Sequence, residues 1–243
     1  MAQEEEVFIK LLIAIISCKS HAGYRSAIRE TWLPKVPKDK ADAFFFMGRE
    51  AESTTPDEIV LNGCGDDYWS LPSKVQSIIK WALEQGYTNL VKIDNDVSLK
   101  VDQFLNSGFQ NHDFSGHTNN DNATVKIPWG FMYTLSSKSM EIVANAQLPP
   151  HQNDEAWVSD NLAQHGILLH HESRYVLHYG KRSDFIIPHK RPLRAPKRNF
   201  HMEEEIRRDA IATCIFLQHF GYHQTPNEVN IKEYYKVFKE TQG

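Results

Sequence analysis

The sequence has few cysteines, which excludes a fold stabilised by a disulfide framework or by cysteine-bound zinc. Of the 243 residues only three are cysteine: Cys18, Cys64 and Cys214. They are too few and too scattered for a disulfide framework, and no two have the spacing of a zinc-binding pair. We therefore expect a protein that folds without disulfide bonds or structural zinc, as is usual in a reducing compartment.

The chain also lacks a long apolar segment and an excess of positive charge. The apolar run from Val7 to Ile16 is short and interrupted by Lys10, and the residues before it are acidic, whereas a signal peptide begins with basic ones. We expect a buried strand here, no signal peptide or membrane anchor in this chain, and a protein that is cytoplasmic or soluble. The formal net charge of −4 argues against a protein that coats nucleic acid nonspecifically.

What the chain does have is enough apolar residues for one substantial core. Its 243 residues are 41% hydrophobic, which predicts one α/β domain, with or without a small appended tail. Apolar, β-branched runs alternate with helical patterns over roughly the first hundred residues, which is typical of a doubly wound parallel sheet. Strands are predicted at 11–17, 43–47, 58–61 and 89–93, and helices at 24–32 and 71–83.

The second half of the chain has a less regular pattern. One or two strands are predicted within 125–135, helices at 137–146 and 155–165, and two short strands within 167–178. The stretch 181–198 is basic and broken by prolines, so it predicts a loop or an ordered arm. A final amphipathic helix is predicted around 206–220.

Two acids follow the strand predicted at 89–93. Asp94 and Asp96 are separated by one residue, and because alternate strand residues share a face, their carboxylates can converge. Ligands of open α/β sheets bind beyond the carboxyl ends of the strands. Hard oxygen ligands suit Mg²⁺ or Mn²⁺, which bind together with substrate phosphates. The pair is a candidate site for a divalent metal and a nucleotide diphosphate; the alternative is a pair of solvated turn acids.

Several segments follow one another in an order that is more specific than any one of them. They are 25–32 (RSAIRETW), 66–74 (DDYWSLPSK), 91–97 (VKIDNDV), 133–136 (YTLS), 154–158 (DEAWV) and 165–167 (HGI). This series, spread between Leu11 and His178, resembles glycosyltransferase family 31, the β-1,3-galactosyltransferase and Fringe-like group. The resemblance implies an α/β GT-A fold, which is a doubly wound, Rossmann-like, mostly parallel sheet flanked by helices, here with an irregular C-terminal arm and helix.

The resemblance also implies a domain organisation and a function. Residues 1–180 would form the GT-A domain, with a nucleotide-binding half at about 7–100 and an acceptor half at about 101–180, and 181–243 would be a basic arm and helical extension packed on it. The implied reaction is the metal-dependent, inverting transfer of a sugar from a UDP-sugar to an acceptor hydroxyl. A glycan is the implied acceptor, in a galactosyl or N-acetylglucosaminyl transfer.

The metal site of the family corresponds to the acids after 89–93. Asp96 would ligate Mn²⁺ (or Mg²⁺) directly, and Asp94 would reach the metal or the ribose. The metal would neutralise the diphosphate as UDP departs. The third ligand would be a histidine on a late strand, for which His178 is the first candidate. The alternatives are His170, His171 and His189.

The catalytic base of the family corresponds to the acid pair Asp154 and Glu155. An inverting transfer needs one carboxylate to remove the proton of the acceptor hydroxyl as that oxygen attacks the anomeric carbon. Glu155 occupies the matching position and Asp154 is the alternative, because either acid could serve. Both could instead only stabilise a helix N-terminus.

Five further positions correspond to family positions around the two substrates. Arg29, Lys74 and Asp66 match positions near the nucleotide, where basic side chains can pair with phosphate. Surface salt bridges are the alternative for the two basic residues. Trp129 and Gly130 lie on the predicted acceptor side, where an indole can stack on a sugar or a base.

Departures from the family leave the acceptor open. The middle acid of the family triplet is Asn95 here, and the stretch 129–132 differs, which leaves the sugars undetermined. The basic arm at 181–198 suggests an alternative, a cytosolic, viral-type enzyme that glycosylates hydroxymethylated bases of DNA. The same arm could instead fold over the donor diphosphate. A third hypothesis is an inactive fold that binds a glycan or nucleotide sugar, because Glu155 stands where the family has Asp.

Overall fold

The computed structural model describes residues 9–118 and 123–175 with their side chains, and the backbone of strands that include 176–179 and 212–216. The strands are β1 (Leu11–Ile16), β2 (Ala41–Gly48), β3 (Glu58–Leu61), β4 (Asn89–Asp94), β5 (Val97–Leu99), β6 (Phe114–Gly116), β7 (Met132–Ser136), β8 (His170–His171), β9 (Tyr175–Tyr179) and β10 (Ala212–Phe216). The helices are α1 (Ala22–Glu30), α2 (Leu71–Glu84), α3 (Val101–Leu105), α4 (Ser137–Ala144) and α5 (Asp154–Gln164).

A seven-stranded sheet forms the centre of the molecule, in the order β3-β2-β1-β4-β7-β6-β8. β1 pairs in parallel with β2 and β4, and β2 in parallel with β3. β7 runs antiparallel to both β4 and β6, and β8 is parallel to β6. β1 to β4 therefore form the parallel, Rossmann-like part of the sheet, as the alternating pattern predicts.

Both faces of the sheet are covered, because alternate residues of β1 enter two different clusters of buried side chains. Leu11, Ile13 and Ile15 pack on the side of α1 and α3. Leu12 and Ala14 pack on the side of α2, α4 and α5. A fully buried Leu or Ile stabilises a fold by roughly 1.5–3 kcal/mol, so a continuous apolar strand is favoured only at such a central position.

The spacing of apolar residues determines which face of α2 is buried. Val75, Ile78, Ile79 and Ala82 recur at helical spacing and are all buried against the sheet. The chain leaves the helix at Gly86, whose φ of +75° is the left-handed conformation that glycine adopts without strain. The helix predicted at 71–83 is thus confirmed.

The N-terminus of α5 is fixed by a cap. The Asn153 side chain accepts a hydrogen bond from Ala156 N at 2.8 Å, so the helix starts at Asp154 with Glu155 in its first turn. At the other end, Gly166 has a φ of +76°. The cap therefore determines the positions of Asp154 and Glu155, the two candidates for the catalytic base.

A second, three-stranded sheet in the order β5-β10-β9 corrects one prediction. The helix predicted around 206–220 is wrong at 212–216, where the chain forms β10, antiparallel to β5 and parallel to β9. A short apolar run does not distinguish a helix from a strand, and here pairing with two distant strands decides. β5, β6 and α3 were not predicted, and within 123–135 only 132–135 belongs to a strand.

The helices that the structure describes are short. The longest, α2, has 14 residues. No helix in the described ranges combines the length and apolarity needed to cross a bilayer.

A buried ionic network joins α1 to β3. Arg25 Nε lies 2.9 Å from Glu58 Oε1, and Arg29 Nη2 lies 2.8 Å from the same oxygen. Arg29 also donates two 2.8 Å hydrogen bonds to Asp57. The Glu58 side chain is only 1% exposed, so its charge is stabilised by the two guanidinium groups and not by water.

We predict that Glu58→Gln lowers the free energy of unfolding by about 3 kcal/mol at pH 7, because it leaves the buried Arg25 and the partly exposed Arg29 without this counter-charge. Burial opposes ionisation of Glu58, but hydrogen bonds from Arg29 and Thr54 outweigh it and lower its pKa from 4.5 to about 2. The stabilisation is therefore complete above pH 4.5 and is lost as the pH falls towards 2.

Urea unfolding at pH 7 and at pH 3 measures this effect, and the difference between wild type and variant should shrink at the lower pH. Glu50→Gln is the control, since Glu50 is 53% exposed in its pair with Arg49 and should change stability little. Equal, small effects of the two variants on stability would contradict the role of Glu58 as the counter-charge of Arg25 and Arg29.

Candidate active site at the carboxyl edge of the sheet

The acidic motif lies where β4 ends, beside the start of β7. Asp94 is the last residue of β4, and its N–H donates to Phe131 O at 2.9 Å. Asn95 and Asp96 form a turn into β5, so the strand alternation that predicts convergence stops at Asp94. The two carboxylates nevertheless interact: burial first, and then the charge of Asp94, raise the pKa of Asp96 to about 7.

Lys92 lies beneath this motif on β4 and connects it to the loop before β7. The residue is 2% exposed, and its Nζ donates to Asp94 Oδ1 at 2.6 Å and to the carbonyl oxygen of Gly130. Burial alone would lower the pKa of Lys92, but the charges of Asp94 and then Asp154 raise it. Lys92 is therefore a buried ammonium group shared by two parts of the site.

The two acids of α5 lie close to Lys92 but in different surroundings. Asp154 is 2% exposed and accepts a 3.0 Å hydrogen bond from Tyr133 Oη. Glu155 is half-buried, and burial first, and then the charge of Asp154, raise its pKa to about 7. An added Cβ at Gly130 would lie 3.0 Å from Glu155 Oε1, so this carboxylate faces the backbone of the loop. Of the two acids, Glu155 is the more accessible.

Asp66 and Lys74 form a second buried pair at the same edge. Lys74 Nζ donates to Asp66 Oδ1 at 2.9 Å and to Ser17 O at 2.8 Å. Asp66 also accepts from Gly48 N at 2.7 Å and Lys19 N at 2.6 Å. The pair thus joins the ends of β1 and β2 to the start of α2. Their predicted contact with the nucleotide stays a prediction, since these bonds already engage the carboxylate.

Arg29 lies in the ionic network on α1, and Arg25 lies nearer the edge. The donors of Arg29 are directed to Asp57, Glu58 and Thr55 Oγ1. These are the ion pairs that the alternative describes, and the Arg29 side chain is 29% exposed. Its predicted contact with the nucleotide stays a prediction. Arg25 donates to Ser17 Oγ at 3.1 Å and to Cys18 O at 2.6 Å, so it supports the loop after β1.

Trp129 and Gly130 lie in the loop between β6 and β7. Trp129 is half-buried against the core, its N–H donates to His117 O at 2.7 Å, and the two rings meet edge to face with centroids 6.0 Å apart. Gly130 lies next to both Lys92 and Glu155. Their predicted contact with the acceptor stays a prediction.

The small sheet places the backbone of His178 near the acidic motif. On β9, His178 pairs with Ile215, and on β10, Cys214 pairs with Val97, the residue after Asp96. The backbone of His178 is thus two strands from that of the motif. Its side chain lies outside the described part, so its role as a metal ligand stays a prediction.

The other candidate histidines are farther along the large sheet or outside the described residues. His170 and His171 form β8, which is separated from β4 by β7 and β6. His170 stacks on His112 with centroids 3.5 Å apart, and His171 Nδ1 accepts from Thr118 N at 3.2 Å. Among the side chains described, no three His, Cys, Asp or Glu gather closely enough to hold a metal. His189 and the whole arm at 181–198 lie outside the described residues.

Several residues that hold the site together have no role predicted from the sequence. Lys92 belongs to the segment 91–97. A lysine inside a strand of Leu, Val and Ile is itself a signal of a buried ion pair. Tyr133 and His21 carry no comparable signal, because their roles depend on partners from other elements. His21 Nδ1 lies 2.9 Å from Asn95 Nδ2, and Tyr133 reaches Asp154.

A family model described as Galactosyltransferase matches residues 23–128, which include the acidic motif and Lys92. No curated protein matches the sequence at a significant level.

Two solved structures superpose on this chain at low sequence identity. The apo structure of the bifunctional glycosyltransferase WbbM superposes with a TM-score of 0.51 at 12% identity, over 98% of this chain and 50% of that one. The galactosyltransferase LgtC, solved with donor and acceptor sugar analogs, superposes with a TM-score of 0.48 at 8% identity, over 93% of this chain and 95% of that one. A Galactosyltransferase family model thus matches residues 23–128, less than half of the chain, and the fold of the chain is similar to that of the glycosyltransferase WbbM.

Proposed function

We propose that this enzyme catalyses the metal-dependent, inverting transfer of a sugar from a UDP-sugar to an acceptor hydroxyl, in the simplest case on a glycan. The observation that carries the proposal is the meeting of two acidic elements around one ammonium group. Lys92 binds Asp94 of the acidic motif and lies in the field of Asp154 and Glu155 of α5. The proposed donor-binding motif and the proposed base would thereby lie within one site.

The residues at the donor side fit a divalent metal. Asp94 and Asp96 are half-buried carboxylates at the carboxyl edge of the sheet, and hard oxygen ligands are those that Mn²⁺ and Mg²⁺ prefer. Together with Asp154 and Glu155 they make four carboxylates, against the one ammonium of Lys92.

The other buried cations nearby do not offset this negative charge, because each has its own partner. Arg25 pairs with Glu58, and Lys74 pairs with Asp66. A cation would therefore be attracted to the acidic motif. Asp94 and Asp96 would hold it, with His178 as the proposed third ligand, and it would supply positive charge to the departing diphosphate.

Glu155 is the proposed base, because its surroundings differ from those of Asp154. Asp154 is buried and bonded to Tyr133, whereas Glu155 is accessible beside Gly130. Its carboxylate would take the proton of the acceptor hydroxyl while that oxygen forms a bond to the anomeric carbon. The bond from the anomeric carbon to the diphosphate oxygen breaks, and UDP leaves with the electron pair.

We predict that Glu155→Gln lowers kcat by about 10²–10⁴-fold without loss of folding, because a neutral amide accepts no proton. Since the pKa of Glu155 is about 7, the wild-type rate should rise with pH through 7 and then level off. Asp154→Asn removes the neighbouring charge that raises this pKa but can keep the bond from Tyr133, so its profile should rise at lower pH.

Rate measurements from pH 5 to 9 on both variants test this assignment, and they also test the hypothesis of an inactive fold. An active Glu155→Gln together with an inactive, folded Asp154→Asn would move the base to Asp154. No transfer by wild type under any condition would support an inactive fold.

We also predict that Gly130→Ala lowers kcat by about tenfold, because the added methyl would displace the Glu155 carboxylate by a few tenths of an ångström. The melting temperature should hardly change, since the group that must move is the end of a flexible side chain. Gly63→Ala is a matched control, because its Cβ would lie 3.1 Å from Ser77 Oγ, away from the acids. Equal kcat values for the two variants and wild type would contradict the placement of Glu155.

A further inference from the structure

Asn95, the middle residue of the acidic motif, binds a histidine from another element. The residue is 7% exposed, and its Nδ2 lies 2.9 Å from His21 Nδ1 and 3.3 Å from Ser17 Oγ. His21 is the residue before α1, in the loop that leaves β1. The turn that carries Asp94 and Asp96 is thereby attached to that loop.

The chemistry of this contact fixes where the proton of His21 lies. An amide nitrogen can only donate, so Nδ1 of His21 must accept the hydrogen bond. A neutral imidazole with an accepting Nδ1 carries its hydrogen on Nε2. Burial lowers the pKa of His21, which favours the neutral ring despite the nearby charge of Asp96.

The protonated nitrogen is available to a ligand. Among the described residues, the His21 ring makes its hydrogen bond to Asn95, through Nδ1. The Nε2 atom of His21 is not one of the fully buried polar atoms that lack a partner, so it is accessible to a ligand. The ring also contacts Tyr24, with centroids 5.0 Å apart, which limits its rotation. A nitrogen that carries a hydrogen cannot ligate a metal, so His21 is suited to donate to an oxygen atom of a ligand.

We propose that Asn95 is a positioning residue that fixes His21 in its Nε2–H tautomer, and that His21 binds the donor nucleotide as a neutral hydrogen-bond donor to one of its oxygen atoms. The second half rests on the proposed function, because that function places a nucleoside diphosphate at the acidic motif. The family that the sequence resembles has a carboxylate at the position of Asn95. A carboxylate can only accept a hydrogen bond, so it would require a hydrogen on Nδ1 of the histidine. The asparagine is thus a specific feature of this chain with a defined consequence.

Long-range ¹⁵N–¹H correlation spectra of the imidazole rings, recorded on ¹⁵N-labelled protein, test the first half directly. His21→Gln assigns the signal by its loss. His21 should show the Nε2–H tautomer, and Asn95→Asp should place a hydrogen on Nδ1, in a neutral or a protonated ring. His165 is an internal reference for the opposite tautomer, because its Nδ1 lies 2.9 Å from the carbonyl oxygen of Asn161, which can only accept.

Titration with UDP and Mg²⁺ tests the second half. UDP should shift the His21 resonances, and His21→Gln should weaken UDP binding by about tenfold. Asn95→Ala, which adds no charge, should weaken binding by a smaller factor, and the double variant should bind no worse than His21→Gln. Thermal unfolding confirms that each variant folds.

The outcomes separate this inference from the proposed function. An Nδ1–H tautomer in wild type, or UDP binding that leaves His21 unchanged, overturns the inference. Failure of any UDP to bind contradicts the proposed function and, with it, the second half of the inference, whereas the tautomer is measured without a ligand.

Discussion

The arrangement of the candidate active site depends on one buried ammonium group. Lys92 is 2% exposed in the middle of the sheet, and a charge in that position is tolerated only when it is paired and hydrogen-bonded. Its partners are the side chain of Asp94 and the carbonyl oxygen of Gly130, and the acids of α5 lie within its field. The acidic motif, the loop before β7 and the first turn of α5 are therefore held in one geometry by the need to neutralise the same charge.

The carboxyl edge of the sheet repeats this arrangement with other cations. Lys74 joins β1, β2 and α2 through Asp66, and Arg25 joins α1 to β3 through Glu58. Each buried cation is matched by a carboxylate, whereas Asp96 and Glu155 add negative charge near Lys92. Asp66 and Glu58 thus hold elements together, whereas Asp96 and Glu155 are the acids for which we propose metal binding and proton transfer.

The sequence predicts those parts of the fold that depend on local patterns. The apolar runs predict β1 to β4, and helical spacing with a closing Gly86 predicts α2. The sequence wrongly predicts a helix at β10. The conformation there is decided by pairing with β5 and β9, which are distant in sequence and leave no local signal. The short β5 and β6 carry too few residues for a periodic signal.

The same division applies to the candidate site. The ordered motifs name the acids Asp94, Asp96, Asp154 and Glu155. They do not tell which member of the α5 pair is buried, because that depends on the hydroxyl of Tyr133 from β7. They also do not show that Asn95 reaches His21, since the contact needs the loop after β1 beside the end of β4.

The most direct test of a metal-dependent UDP-sugar transferase is the release of UDP from a panel of UDP-sugars, with Mn²⁺ and with EDTA. Wild type and Asp96→Ala are compared with Asp102→Ala, a control at an exposed acid on α3. We expect UDP release to require Mn²⁺, to be lost in Asp96→Ala and to be kept in Asp102→Ala. Release that persists in EDTA, or in Asp96→Ala, would contradict this expectation.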